Sequence, residues 1–207
     1  MNLPNILSII RIILVPIIVG LMFCYPLNNS YFLDVCSKTI KINSLSIPLL
    51  WLIAFILFIV ATLTDFLDGY IARKYNMVTD FGKFLDPVAD KILITSILIV
   101  FTAAGILPGF VLVIIVCRDL IIGVLREIAA KKQIAIAADK LGKWKTTFQM
   151  IGIIILFIFN NKSLAVGIYS WQSQLCLAVI YIACLLTIIS MVNYIIKNKN
   201  IIANSAD

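Results

Sequence analysis

The chain has 207 residues, 62% of them hydrophobic and only 13% charged, and its mean hydropathy is +1.09. A water-soluble domain carries about 25% charged residues, so a soluble globule is excluded and an integral membrane protein is indicated. The net charge of +7 does not point to nucleic acid: the basic residues gather near the ends of apolar runs, where membrane topology and anionic lipid account for them.

A helix needs about 20 apolar residues to cross a bilayer. Six runs qualify, at about 4–25, 48–72, 84–106, 108–130, 143–160 and 172–196. The fold expected is therefore all-α, a polytopic membrane protein with six transmembrane helices. No Pro/Gly/Ser-rich linker, internal repeat or low-complexity tail divides the sequence, so residues 1–207 are expected to form a single transmembrane domain. The first run has neither a basic flank before it nor a small-residue cleavage site after it, which favours a retained span over a signal peptide. Pro4, Pro48 and Pro108 fall at helix starts, where a missing N–H is harmless. Pro87 falls early in the third run, where it either kinks the helix or sits in its first turn.

With both termini on one side, the opposite side receives the loops around 26–47, 105–108 and 161–171. Those loops hold only Lys38, Lys41 and Lys162 of the 17 Lys and Arg residues. Positive charge is retained inside, so both termini are expected in the cytoplasm, with Lys131, Lys132, Lys197 and Lys199 as the cleanest markers. The five cysteines form no CxxC pair and read as small core hydrophobes. No histidine is present, which excludes a His-ligated zinc centre and a Ser-His hydrolase.

Taken along the chain, the first polar feature is Asn5, Ser8 and Arg11, which share one broad side of the first helix near its cytoplasmic end. They line a site or simply mark an interfacial helix start. The second feature spans the end of the second run and the start of the third. Asp65 and Asp68 are i, i+3 and share a helix face. Gly69 and Ala72 extend that face with minimal side chains, so a ligand can approach the backbone, and Arg73 follows one turn after Gly69. Gly82, Asp86 and Asp90 then repeat at i+4 on the next helix.

Ionisable groups at this depth are costly and mark functional sites. A lone aspartate at a helix end is ordinarily a surface charge; four in register, with two glycines, an alanine and an arginine, are not. Two like charges about 4 Å apart repel by about 4 kcal/mol at an effective dielectric near 20. A divalent cation removes that penalty, and all-oxygen ligands favour Mg²⁺ or Mn²⁺ over zinc. A carboxylate-bound Mg²⁺ completes its shell with substrate phosphates, to which Arg73 adds a fork of donors. Metal-assisted phosphoryl-type chemistry at the cytoplasmic interface is the expectation. A cation or proton transporter is the alternative of a different class. It fits poorly, because all four aspartates lie toward one membrane face and no acidic relay continues across.

The spacing Asp65-x2-Asp68-Gly69-x2-Ala72-Arg73-x8-Gly82-x3-Asp86-x3-Asp90 resembles the signature of the CDP-alcohol phosphotransferase family, with every defining position matched. The resemblance implies six transmembrane helices, a homodimer and a two-metal site open to the cytoplasm. It also implies a CDP-linked lipid donor, an alcohol acceptor and CMP as leaving group. Carried over by residue, Asp65, Asp68, Asp86 and Asp90 are metal ligands, and Asp90 is the base that deprotonates the acceptor. Asp68, Gly69, Ala72, Arg73, Thr79 and Gly82 match the CDP-binding positions.

Two basic segments bear on the acceptor. Arg118 lies about ten residues into the fourth run, deep enough to need a partner or a cavity, and Arg126 lies two turns further. Lys140, Lys143 and Lys145 open the fifth run beside Trp144; as plain anchors they would only mark the inner interface. Together these five residues form a candidate pocket for an acceptor that carries its own phosphate. With the Asn-Leu-Pro-Asn start, these segments resemble the phosphatidylglycerophosphate synthase branch of the family. That branch joins CDP-diacylglycerol to sn-glycerol 3-phosphate in the inner cell membrane. Asp119 departs from it, standing where a Glu is expected, and the last run looks generic. Inositol phosphate, serine and phosphatidylglycerol remain rival acceptors.

Overall fold

The computed structural model describes residues 3–24, 39–42, 45–74, 80–131, 140–158 and 171–197. Within these, the side chains of 65–74, Lys140 and Lys143 are among those outside the description, as are those of residues 3–5. Each of the six apolar runs forms a helix: α1 (Leu3–Phe23), α2 (Leu49–Lys74), α3 (Asp80–Ala103), α4 (Gly109–Lys131), α5 (Lys140–Ile158) and α6 (Trp171–Lys197). The helices α3 and α5 start ahead of the apolar runs that announce them. Hydropathy locates only the part that lipid can accept, whereas backbone hydrogen bonding carries the helix on through polar residues. Because α3 begins at Asp80, Pro87 lies beyond its first turn.

One element was not expected. Thr39–Ile42 (β1) pairs antiparallel with Leu45–Pro48 (β2), from Thr39 opposite Pro48 to Ile42 opposite Leu45. Both strands alternate polar and apolar residues, the pattern of a short hairpin. The all-α expectation holds for the helices, and this hairpin is added to the connection before α2.

The chain divides into two compact units, residues 1–106 with 157–167 and residues 107–156 with 168–207. In the first, α1 packs on α2 and α3. Its buried side is Ser8, Arg11, Val15, Ile18 and Met22, at the three- and four-residue steps that hold one helix face. Its opposite side exposes Ile6, Ile10, Ile13 and Ile17. Polar residues inside and isoleucine outside invert the order of a soluble protein and suit a lipid surround. Trp51, Phe55, Phe58, Phe101 and Phe157 form an aromatic cluster with ring centroids 5.1–6.1 Å apart. The indole N–H of Trp51 donates to the carbonyl of Met22 at 3.2 Å, satisfying one of the orphan acceptors at the end of α1.

Two residues past the end of α3 stands Gly105, whose φ of 72° lies in the left-handed region. The Gly105 N–H donates to Thr102 O at 3.0 Å and the Ile106 N–H to Phe101 O at 2.9 Å, the paired bonds of a Schellman cap. Ile106 and Phe101, its apolar partners, are both buried.

In the second unit α4 packs on α6. The buried side of α4 is Val111, Ile115, Arg118 and Ile122; that of α6 runs from Leu177 and Ile180 through Ala183 and Thr187 to Ser190 and Tyr194. The Thr187 hydroxyl returns to Ala183 O at 2.6 Å, so it adds no unmet donor to an apolar helix. Where α5 meets α6, Gly152 lets the backbones approach: a Cβ there would stand 2.3 Å from Ile180 Cγ1 and 3.4 Å from Ile180 N. Gly152→Ala is expected to destabilise the protein by about 1–3 kcal/mol through overpacking, read as a lower unfolding temperature in detergent.

Among the described residues, two stretches are long and apolar enough to cross a membrane, Ile6–Phe23 in α1 and Gln174–Lys197 in α6. Among the described residues, α2 and α5 contribute shorter apolar stretches, Leu49–Thr64 and Trp144–Ile158.

Candidate active site

In the first unit the site grows from two helix faces. On α2 the buried residues Trp51, Ala54, Phe58 and Ala61 step by three and four. The same steps continue in sequence to Asp65, Asp68 and Ala72. All three lie on the α2 backbone with Gly69 and Arg73, and the side chains of all five are outside the description. Thr79 lies outside the described residues. On α3, Gly82 is buried, and Asp86 and Asp90 are half-buried one turn apart. Four-residue spacing puts both carboxylates on one side of the helix.

The first helix enters this site directly. Ser8, fully buried, donates its hydroxyl to Asp86 Oδ1. Arg11, one turn on, is 1% exposed. The polar start of α1 is thus an inward face and not only an interfacial helix start. Asn5 lies on the α1 backbone, its side chain undescribed. Asp86 and Asp90 offer only oxygen donors, the chemistry that hard divalent cations take.

In the second unit the basic residues separate. Lys145, 1% exposed, donates to both carboxylate oxygens of Asp119, at 2.5 and 2.7 Å. Arg118 donates from Nη1 to Asp119 Oδ1 at 3.2 Å and from Nη2 to Ser190 Oγ at 2.7 Å. Gly142 borders the guanidinium, a Cβ there falling 3.5 Å from Nη2. Two cations therefore share the Asp119 carboxylate in a nearly closed setting. Arg126 is exposed, and the side chains of Lys140 and Lys143 are undescribed.

Sequence reasoning does not assign two members of this cluster to the site. For Asp119 the sequence offers a departure from the branch and an intrahelical pair with Arg118; that pair forms, and the same carboxylate also anchors Lys145 from α5. Ser190 was passed over because α6 looked generic. The signal was present: Thr187, Ser190 and Tyr194 recur at helical steps in an otherwise apolar span, and all three are buried.

A model of the CDP-alcohol phosphatidyltransferase family matches residues 1–192. The chain belongs to that family. Curated relatives named CDP-diacylglycerol–glycerol-3-phosphate 3-phosphatidyltransferase agree. One from Mycoplasma pneumoniae is 43% identical over 162 residues, 77% of this chain and 69% of the relative. One from Bacillus subtilis is 38% identical over 77% of this chain and 78% of the relative. One from Haemophilus influenzae is 35% identical over 202 residues, 94% of this chain and 91% of the relative. As a CDP-alcohol phosphatidyltransferase, the chain needs a site for a nucleotide diphosphate and a site for an alcohol.

Proposed function

We propose that this chain is a CDP-diacylglycerol–glycerol-3-phosphate 3-phosphatidyltransferase, forming phosphatidylglycerol phosphate and CMP. The observation that carries the acceptor is the buried Lys145–Asp119–Arg118 cluster. A buried ammonium and a buried guanidinium side by side are the donors that a phosphate-bearing acceptor would use. The names of the relatives above point the same way.

In this mechanism Asp90 accepts the proton of the acceptor hydroxyl, and the freed oxygen attacks the β-phosphorus, which bears the lipid. The new oxygen–phosphorus bond forms as the bond to the bridging oxygen breaks, and CMP leaves with that electron pair. Asp65, Asp68, Asp86 and Asp90 would hold two Mg²⁺ or Mn²⁺ ions, which when bound neutralise charge on the diphosphate and the departing CMP. The oxygen-only donors of Asp86 and Asp90, and the hydroxyl that Ser8 gives Asp86, fit that assignment. Gly69, Ala72, Gly82 and Thr79 admit the nucleotide, and Arg73 takes its phosphates. Arg118 and Lys145 take the acceptor phosphate, with Arg126, Lys140 and Lys143 steering it from the approach. The enzyme works as a homodimer in the inner cell membrane, with six spans, cytoplasmic termini and the site facing the cytoplasm.

The test is CMP release from CDP-diacylglycerol by purified protein, with Mg²⁺ or Mn²⁺ and a panel of acceptors. Glycerol 3-phosphate should be the strong substrate. A preference for inositol phosphate, serine or phosphatidylglycerol would transfer the chemistry to that acceptor. Ser8→Ala, which removes the hydroxyl that orients Asp86, should raise the metal concentration for half-maximal activity roughly ten- to a hundredfold.

A further inference from the structure

The α5 helix carries a polar residue that the chemistry above leaves unused. Gln149 is 1% exposed, and its Nε2 is buried without a hydrogen-bond partner. In the same unit the Nε of Arg118 is also buried and unpartnered, although both of its terminal nitrogens are held. A buried amide with no partner costs about 1–3 kcal/mol, and leucine would fill the same volume at no such cost. An unmet donor of this kind calls for a specific explanation.

Register supplies one. Gln149 follows Lys145 by four residues and Gly142 by seven, so all three lie along one side of α5. That side faces Asp119 through Lys145, and Arg118 and Ser190 at Gly142. Four residues correspond to about 6 Å along the axis, the scale of the distance from the phosphorus of a three-carbon phosphate ester to its hydroxyls. The charged groups suit a phosphate, whereas a neutral amide, which both donates and accepts, suits a hydroxyl.

We propose that Gln149 is a specificity residue that hydrogen-bonds the acceptor's second hydroxyl, the one that does not attack. The proposal rests on the assignment of Arg118 and Lys145 to the acceptor phosphate. It accounts for a buried amide nitrogen that has no partner among the described residues: the partner belongs to the substrate.

The test compares the intact enzyme with Gln149→Leu, using glycerol 3-phosphate and 3-hydroxypropyl phosphate, which lacks only the second hydroxyl. The wild type should prefer glycerol 3-phosphate in kcat/KM. Gln149→Leu should lose roughly ten- to a hundredfold toward glycerol 3-phosphate, handle both acceptors about equally, keep its KM for CDP-diacylglycerol and unfold at the same or a higher temperature. An undiminished preference in the variant overturns the proposal, as does an equal loss toward both acceptors or a lower unfolding temperature with both substrates affected. Arg118→Ala separates the underlying assignment. If it leaves the KM for glycerol 3-phosphate unchanged, the phosphate site fails and the proposal with it. If it raises that KM while Gln149→Leu behaves as wild type, only the role of Gln149 fails.

Discussion

Asp90→Asn should lower CMP release about 10²- to 10⁴-fold, the usual contribution of a positioned general base. The change keeps size and shape but removes the only group that the mechanism gives for taking the acceptor proton. Asp90 lies one turn after Asp86 on the same half-buried side of α3, so the amide should be accommodated without loss of fold. Its unfolding temperature in detergent should stay near that of the wild type. Asp86→Asn should fail in a different way, with part of its activity recovered at high metal concentration. Excess EDTA should silence the wild type, and re-addition of Mg²⁺ or Mn²⁺ should restore it. Full activity in Asp90→Asn, or in EDTA, would sink the mechanism.

The largest effect on stability is expected at Asp119. Its carboxylate pairs with the Lys145 ammonium, whose side chain is 1% exposed, and it also takes a bond from Arg118. Removing one member of a buried ion pair leaves the other charged and desolvated, at a cost of about 3–5 kcal/mol. Because the Asp119 side chain is 20% exposed, water reaches the cluster and the lower end applies. Asp119→Ala should therefore unfold well below the wild type, and Asp119→Glu, which restores the charge, should recover most of the loss. Glycerol 3-phosphate should raise the unfolding temperature of Asp119→Ala, since a phosphate can supply the missing negative charge. If Asp119→Ala were as stable as the wild type, Lys145 would not depend on this carboxylate.

Much of the molecule was legible in sequence because two signals there are periodic. Apolar runs of membrane length located the six helices of the described residues. The aspartates recur at helical steps, so their sharing of faces followed from spacing alone, and Asp86 and Asp90 do lie on one half-buried side of α3. The β1–β2 hairpin was not legible: its short alternating strands lay in a connection judged by length and charge, where pairing gives no long-range signal. Arg118 and Arg126 were grouped because two turns separate them. Eight residues turn a helix by about 80° beyond two full turns, enough to bury Arg118 and expose Arg126.

What the sequence determined by itself was the family. The types and intervals of Asp65, Asp68, Gly69, Ala72, Arg73, Gly82, Asp86 and Asp90 carry its signature, and they are readable because spacing within a helix is local and fixed by its pitch. What only the tertiary structure decided was which polar groups from distant helices meet. Ser8 reaches Asp86 across 78 residues of chain, and Arg118 reaches Ser190 across 72. No periodicity within one helix encodes such meetings. They follow from which faces pack, and in an apolar chain the few buried polar side chains must find one another or a ligand.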